Sequence, residues 1–150
     1  MLKRVVMSIA LLAAALACGG ESSTEPKTDV SGEWTYNATN LSGTGVACTN
    51  LEISMTLSQN GTTFSGTVLT ASMSCFDPGH VLTGPPIVAG VTAVANGKLS
   101  GNRVQFDLGT QDVHNAGSLT GNSMSGTIML RAPAGSTTVT LTGNFTAVRQ

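Results

Sequence analysis

The chain has 150 residues, enough for one domain, with 41% hydrophobic content and a formal net charge of −1. Only 10% of residues are Asp, Glu, Lys or Arg and 4% are aromatic, which excludes the basic stripe with interleaved aromatics that nucleic-acid binding needs. Gly, Ser and Thr recur instead, and such a surface suits strands, because exposed helices rely on Lys, Glu and Arg.

Residues 1–17, MLKRVVMSIALLAAALA, start with Lys3 and Arg4 and continue as an apolar run from Val5 to Ala17 broken only by Ser8. A basic start before a run too short for a comfortable membrane span reads as a signal peptide. The run ends Ala15-Leu16-Ala17-Cys18 and passes into the polar GGESSTEP. This resembles the lipobox of bacterial lipoproteins, where cleavage precedes a cysteine that carries the lipid, with Ala15 standing where that family favours Leu. The resemblance implies a mature chain beginning at a lipidated Cys18; an ordinary secretory signal cut near Ala17 and an uncleaved anchor are the alternatives. Once Lys3 and Arg4 are removed, five basic residues face eight acidic ones. No polybasic patch then assists, and the acyl chains alone are expected to hold the protein to the membrane. No Asp follows Cys18 directly, so the inner-membrane retention signal of enteric bacteria is missing. By resemblance the location is the bacterial envelope, at the outer membrane, facing the periplasm or the cell surface. Residues 18–29 comprise this cysteine and a flexible tether, 19–29, which has no apolar periodicity and reaches roughly 35 to 40 Å when stretched, leading to a domain over 30–150.

From Val30 onward no stretch of ten residues has helical apolar spacing, whereas alternation recurs. Leu51, Ile53, Met55 and Leu57 alternate with polar residues, as do Val104, Phe106 and Leu108, and then Val139, Leu141, Gly143, Phe145 and Ala147. One face of each strand is expected to be buried and the other wet. Strands are expected at about 32–39, 51–59, 62–71, 90–100, 103–109, 112–120, 123–131 and 137–149. Asn60-Gly61 between two of them signals a hairpin. KLSGNRVQF and SLTGNSMSG place Gly-Asn at 101–102 and 121–122, and their 20-residue spacing is that of two strands and two turns. A third copy, TLTGNFTAV, is expected to be continuous strand because too little chain follows for another partner. Asn96-Gly97 marks a bulge or an extra turn.

Eight antiparallel strands in sequence order close on themselves as an all-β, up-and-down barrel, which removes exposed edges; a β-sandwich is the runner-up. The tight turns at 60–61, 101–102 and 121–122 fall at one end. Loops 40–50, 72–89 and 132–136 fall at the other. One end closed and the other elaborated is the asymmetry of a ligand-holding barrel.

The first strand opens Gly32-Glu33-Trp34 and the last ends Thr146-Ala147-Val148-Arg149. This is similar to the G-x-W signature of lipocalins, in which an arginine of the final strand packs across the tryptophan at the closed end. The resemblance implies a lipocalin-like, or calycin-like, barrel closed by Trp34 and Arg149. Avidin-like barrels and bacterial lipoprotein inhibitors of proteases share this architecture, so fold alone does not choose a function.

Alternation directs Tyr36, Ile53, Met55, Leu57, Phe64, Val68, Val104, Phe106, Leu108, Met124, Ile128, Leu130, Val139, Leu141 and Phe145 inward, with Gly66, Gly126, Gly143 and Ala147 leaving room among them. Tyr36, Met55, Phe64, Phe106, Met124 and Phe145 would line a pocket if the interior is hollow. Phe76, Val81 and Leu82, apolar residues in the turn-rich CFDPGHVLTGPP, would form its lid or else pack that loop onto the barrel. Cys48 and Cys75 are expected to form a disulfide in an oxidising compartment. The competing reading is zinc on Cys75, Asp77 and His80, which lacks a fourth ligand. His114 shares a strand face with Asp112, as an acid–base pair or a solvated strand-end histidine. No Ser, Cys or second carboxylate completes a nucleophilic or glycosidase arrangement, so neither catalysis nor a cofactor nor a resident metal is expected.

Two functions remain open. One is an outer-membrane-anchored, non-catalytic barrel holding a small apolar or amphipathic ligand. The other is an envelope protein-interaction or inhibitor module working through its open-end loops over a solid core. An apolar cavity of about 300 Å³ or more would favour the first, and a filled core with an exposed apolar patch at the loops the second.

Overall fold

The alternating segments pair into one antiparallel sheet. The computed structural model describes residues 28–43, 45–73, 75–77, 80–81, 92–109, 113–134 and 137–150. Its strands are β1 (Gly32–Gly43), β2 (Val46–Cys48), β3 (Leu51–Asn60), β4 (Thr63–Ser72), β5 (Cys75–Asp77), β6 (His80–Val81), β7 (Ala93–Ser100), β8 (Arg103–Leu108), β9 (Val113–Thr120), β10 (Ser123–Ala134) and β11 (Thr137–Arg149). Strands β11, β10, β9, β8, β7, β4, β3 and β1 follow one another, and β1 pairs back onto β11. The result is a closed eight-stranded up-and-down barrel, and the sandwich alternative is set aside.

The expectation of loops at 40–50 and 72–89 needs correction. Strand β1 runs on to Gly43, and β2, β5 and β6 extend the sheet outward from it as a short ribbon at the open rim. Strands of two or three residues are too short to display a period, which is why alternation did not mark them.

The closed end is built by glycine. The hairpins close on the pairs Asn60 with Thr63, Ser100 with Arg103 and Thr120 with Ser123. Each loop is therefore two residues, glycine first, with φ of 63° at Gly61, 59° at Gly101 and 58° at Gly121. A positive φ at the first loop position matches the strand twist, and glycine adopts it without a Cβ penalty. The first turn thus lies one residue later than Asn60-Gly61 suggests, Asn60 being the last ladder residue. Each turn is also laced to a neighbouring strand: Leu99 N donates to Thr62 O (2.8 Å), Leu119 N to Asn102 O (2.7 Å) and Arg149 N to Asn122 O (2.9 Å). The third Leu-Thr-Gly-Asn stays inside β11, where Gly143 pairs with Ile128.

Asn96-Gly97 proves to be a bulge: β7 carries one extra residue between Ala95 and Lys98 relative to β8. A second bulge interrupts β1 between Thr39 and Ser42. In both places the burial alternation slips by one, so Leu41 and Gly97 turn inward after two outward residues. Asn40 (φ 57°) and Asn96 (φ 53°) occupy these bulges, and they are the only non-glycine residues with positive φ among the described residues.

The inward set is buried, with Val68 and Val139 partly buried against it. The inward glycines do not leave room, contrary to expectation. A Cβ on Gly126 would lie 2.1 Å from Ala116 O, and one on Gly66 would lie 2.2 Å from Thr56 O. Glycine is needed there because a carbonyl of the adjacent strand occupies the place a Cβ would take.

Candidate functional site

Strands β1 and β8 lie opposite each other in the ring of eight. From these facing walls Tyr36 and Phe106 meet edge to face, 6.3 Å between centroids. Phe145 stacks on Tyr36 at 5.3 Å and stands edge-on to Phe106 at 5.7 Å, while Phe64 reaches Phe106 at 5.9 Å. Rings contributed by opposite walls therefore touch, and Met55 and Met124 are buried with them. All six interior residues expected to line a pocket are packed within the core.

One polar bond crosses this interior. The Tyr36 hydroxyl donates to Asn115 Oδ1 (2.7 Å), and Asn115 Nδ2 donates to Phe106 O (3.3 Å). Burial pushes the Tyr36 phenol well above its ordinary range, so it remains a neutral donor. Tyr36→Phe would leave Asn115 Oδ1 buried without that donor, an expected loss of about 1–3 kcal/mol in urea unfolding. A loss below about 0.5 kcal/mol would show that this bond contributes little to stability.

At the closed end, Trp34 is 1% exposed and its indole Nε1 donates to Val30 O (2.8 Å). Arg149, directly opposite in the β1–β11 ladder, holds its guanidinium 5.0 Å from the Trp34 ring centroid and donates through Nη2 to Asp29 O. Gln59 ties the entering segment to the first hairpin by accepting from Val30 N (2.8 Å) and donating to Gly61 O (2.8 Å).

At the open end, Cys48 of β2 stands directly opposite Cys75 of β5, and Phe76 pairs with Val81 between β5 and β6. The side chains of Cys75, Phe76, Asp77, His80 and Val81 lie outside the described residues, as do Leu82, Asp112 and Cys18. The zinc reading and the lid therefore fall there too. Among the described residues no group of three or more metal-ligating side chains occurs.

A depression formed by described residues lies on the outer wall. It measures about 850 Å³ and is lined mostly by solvent-facing residues of β1 and β7–β11, with the inward-facing Phe106, Asn115, Ile128 and Gly143 behind them. The ladder lays one cross-strand row through Lys98, Gln105, Ala116, Thr127 and Asn144. A second row runs Asp107, His114, Met129, Thr142 and Ser42. The bulge residues Asn40 and Asn96 both line it.

Within it, His114 Nδ1 lies 2.7 Å from Asp107 Oδ1, and Asn96 Nδ2 donates to Asp107 Oδ2 at 2.7 Å. Partial burial pushes the Asp107 carboxyl up, but the hydrogen bonds from Asn96 and His114, with the histidine's charge, outweigh it and hold it below its ordinary value. The ionised Asp107 thus orients the imidazole and leaves Nε2 free to meet a ligand. His114 is exposed, as the solvated strand-end reading has it, and meets the carboxylate of Asp107; the alternative pair with Asp112 lies outside the described residues. The signal was present: strands ending at 109 and resuming at 112 make positions 107 and 114 mirror images across the turn.

No protein family, curated protein or solved structure matches this chain.

Proposed function

We propose that this chain is a non-catalytic lipoprotein of the bacterial envelope, anchored through Cys18, whose solid barrel serves as a scaffold for protein interaction through its open rim. The observation that supports a scaffold over a container is the contact between Tyr36 and Phe106 from facing walls. It occupies the centre that an enclosed apolar ligand would need. The tether enters β1 beside the laced turns, and the β2–β5–β6 ribbon lies at the other rim. Anchorage at Cys18 would therefore present that ribbon away from the membrane.

A Cys48–Cys75 bridge would brace the ribbon. Directly opposed residues of an antiparallel pair have Cα atoms about 4.5–5.5 Å apart, within disulfide range. Thiol labelling of the native oxidised protein should find neither cysteine; labelling of both before reduction would remove the bridge.

Cell fractionation tests the anchor. Wild-type protein is expected in the membrane fraction, and Cys18→Ser should appear in the soluble periplasm or remain unprocessed. A Cys18→Ser protein that is processed and still membrane-bound would overturn the anchor. The soluble form should show no saturable binding of anilinonaphthalene sulfonate, whereas a stoichiometric site competed by fatty acid would overturn the scaffold reading.

A further inference from the structure

We propose that the outer-wall depression is a binding site for an acidic saccharide, with ring hydroxyls on its carboxamides, its hydroxyls and the Nε2 acceptor of His114, and the sugar's acid group on Lys98. Its volume, about 850 Å³, falls within the roughly 300–1,000 Å³ of small-molecule sites. The proposal does not rest on the anchor; at its edge the site adjoins the rim ribbon, where Ser42 pairs with Ala47 of β2.

Three observations converge on it. First, the lining is rich in groups that pair with hydroxyls. Asn40, Gln105 and Asn144 are exposed carboxamides, each with donors and acceptors, and Thr127 and Thr142 add hydroxyls. Second, the bulges of β1 and β7 open onto it. A bulge re-aims a side chain, and the left-handed Asn40 and Asn96 bring their amides to the depression from β1 and β7, strands separated by four others on this side of the barrel.

Third, the charge is arranged for an anion. Asp107 is already engaged by His114 and Asn96, while Lys98 forms no ion pair among the described residues and His114 keeps Nε2 available. A cationic ligand would find its carboxylate occupied. An acid finds an ammonium without an ion pair among the described residues, and a sugar hydroxyl finds the oriented imidazole as its acceptor. The site also lacks the Trp, Tyr and Arg anchors that dominate protein interfaces: Phe106, the aromatic that touches it, is 2% exposed. That composition favours a hydrated sugar over a protein partner.

Isotope-labelled, detergent-solubilised full-length protein should be titrated by NMR with trigalacturonic acid, maltotriose and inorganic phosphate. Trigalacturonic acid is expected to shift the amides of Gln105, Ala116 and Thr127 saturably, at least tenfold more tightly than either other probe. Lys98→Ala and His114→Ala should each weaken it several-fold without changing the melting temperature. Ala116→Trp, a substitution at an exposed floor position, should abolish it in a folded barrel. Equal affinity for maltotriose would overturn the acid-binding part, and equal affinity for phosphate would reduce the site to a simple anion site. No shift in these amides with any probe, or binding unaffected by Ala116→Trp, would overturn the proposal outright.

Discussion

Phe106→Ala is expected to lower the unfolding free energy by about 3–5 kcal/mol, the range for removing a buried aromatic ring. Phe106 contacts Tyr36, Phe64 and Phe145, side chains from three other strands, and its loss would separate the two facing walls. The inward glycines meet backbone rather than space, so the wall cannot simply fold inward to refill the volume. A residual void should therefore remain and accept an apolar probe that wild type refuses. Urea unfolding measures the first effect, and anilinonaphthalene sulfonate fluorescence in the native baseline measures the second. A loss under about 1 kcal/mol with no gain in probe binding would mean that the interior is already loose, and the scaffold reading would lose its support.

The barrel was legible because its signals are local and repeated. Alternation in segments such as Leu51–Leu57 and glycine-first turns such as Gly101-Asn102 both act within a few residues, and eight such strands have few ways to close. Where two meanings compete locally, tertiary context decided. Leu-Thr-Gly-Asn is a turn at 119–122, where β10 follows to pair, and strand at 141–144, where β11 lies between β10 and β1. The inward glycines misled for a related reason. Absence of a side chain reads as space in sequence, but the neighbouring carbonyl that fills it belongs to another strand.

The outer depression was hardest to foresee. Its lining comes from β1 and β7–β11, brought together only by closure. Its two bulges are visible as extra residues only once each partner strand is known, although left-handed Asn is a permitted conformation that Asn96-Gly97 hinted at. The His114–Asp107 contact lay one step from the strand list, through hairpin symmetry. What obscured it is that Asp112 is nearer to His114 in sequence, whereas Asp107 faces it only across the ladder.

Trp34→Ala should be as damaging as the loss of Phe106, about 3–5 kcal/mol, by a different route. The indole fills the closed end, donates to Val30 O and lies under the Arg149 guanidinium, so its removal leaves a cavity, an unsatisfied carbonyl and a cation without its ring. The cation–ring contact accounts for a minor share, roughly 0.5–2 kcal/mol. Arg149→Ala should therefore cost distinctly less than Trp34→Ala. Combined in a double-mutant cycle, the two should be non-additive, because the second substitution has no contact left to break. Trp34 is the sole tryptophan, so Arg149→Ala should also shift the emission of the folded protein by admitting water to the ring. Additive losses with unchanged emission would show that Arg149 merely lies near the indole. Since Trp34 is remote from the open rim, a milder Trp34→Phe variant that remains folded should bind at the rim and at the outer wall as wild type does. Impaired binding in that folded variant would mean that the closed end is itself part of the interaction surface.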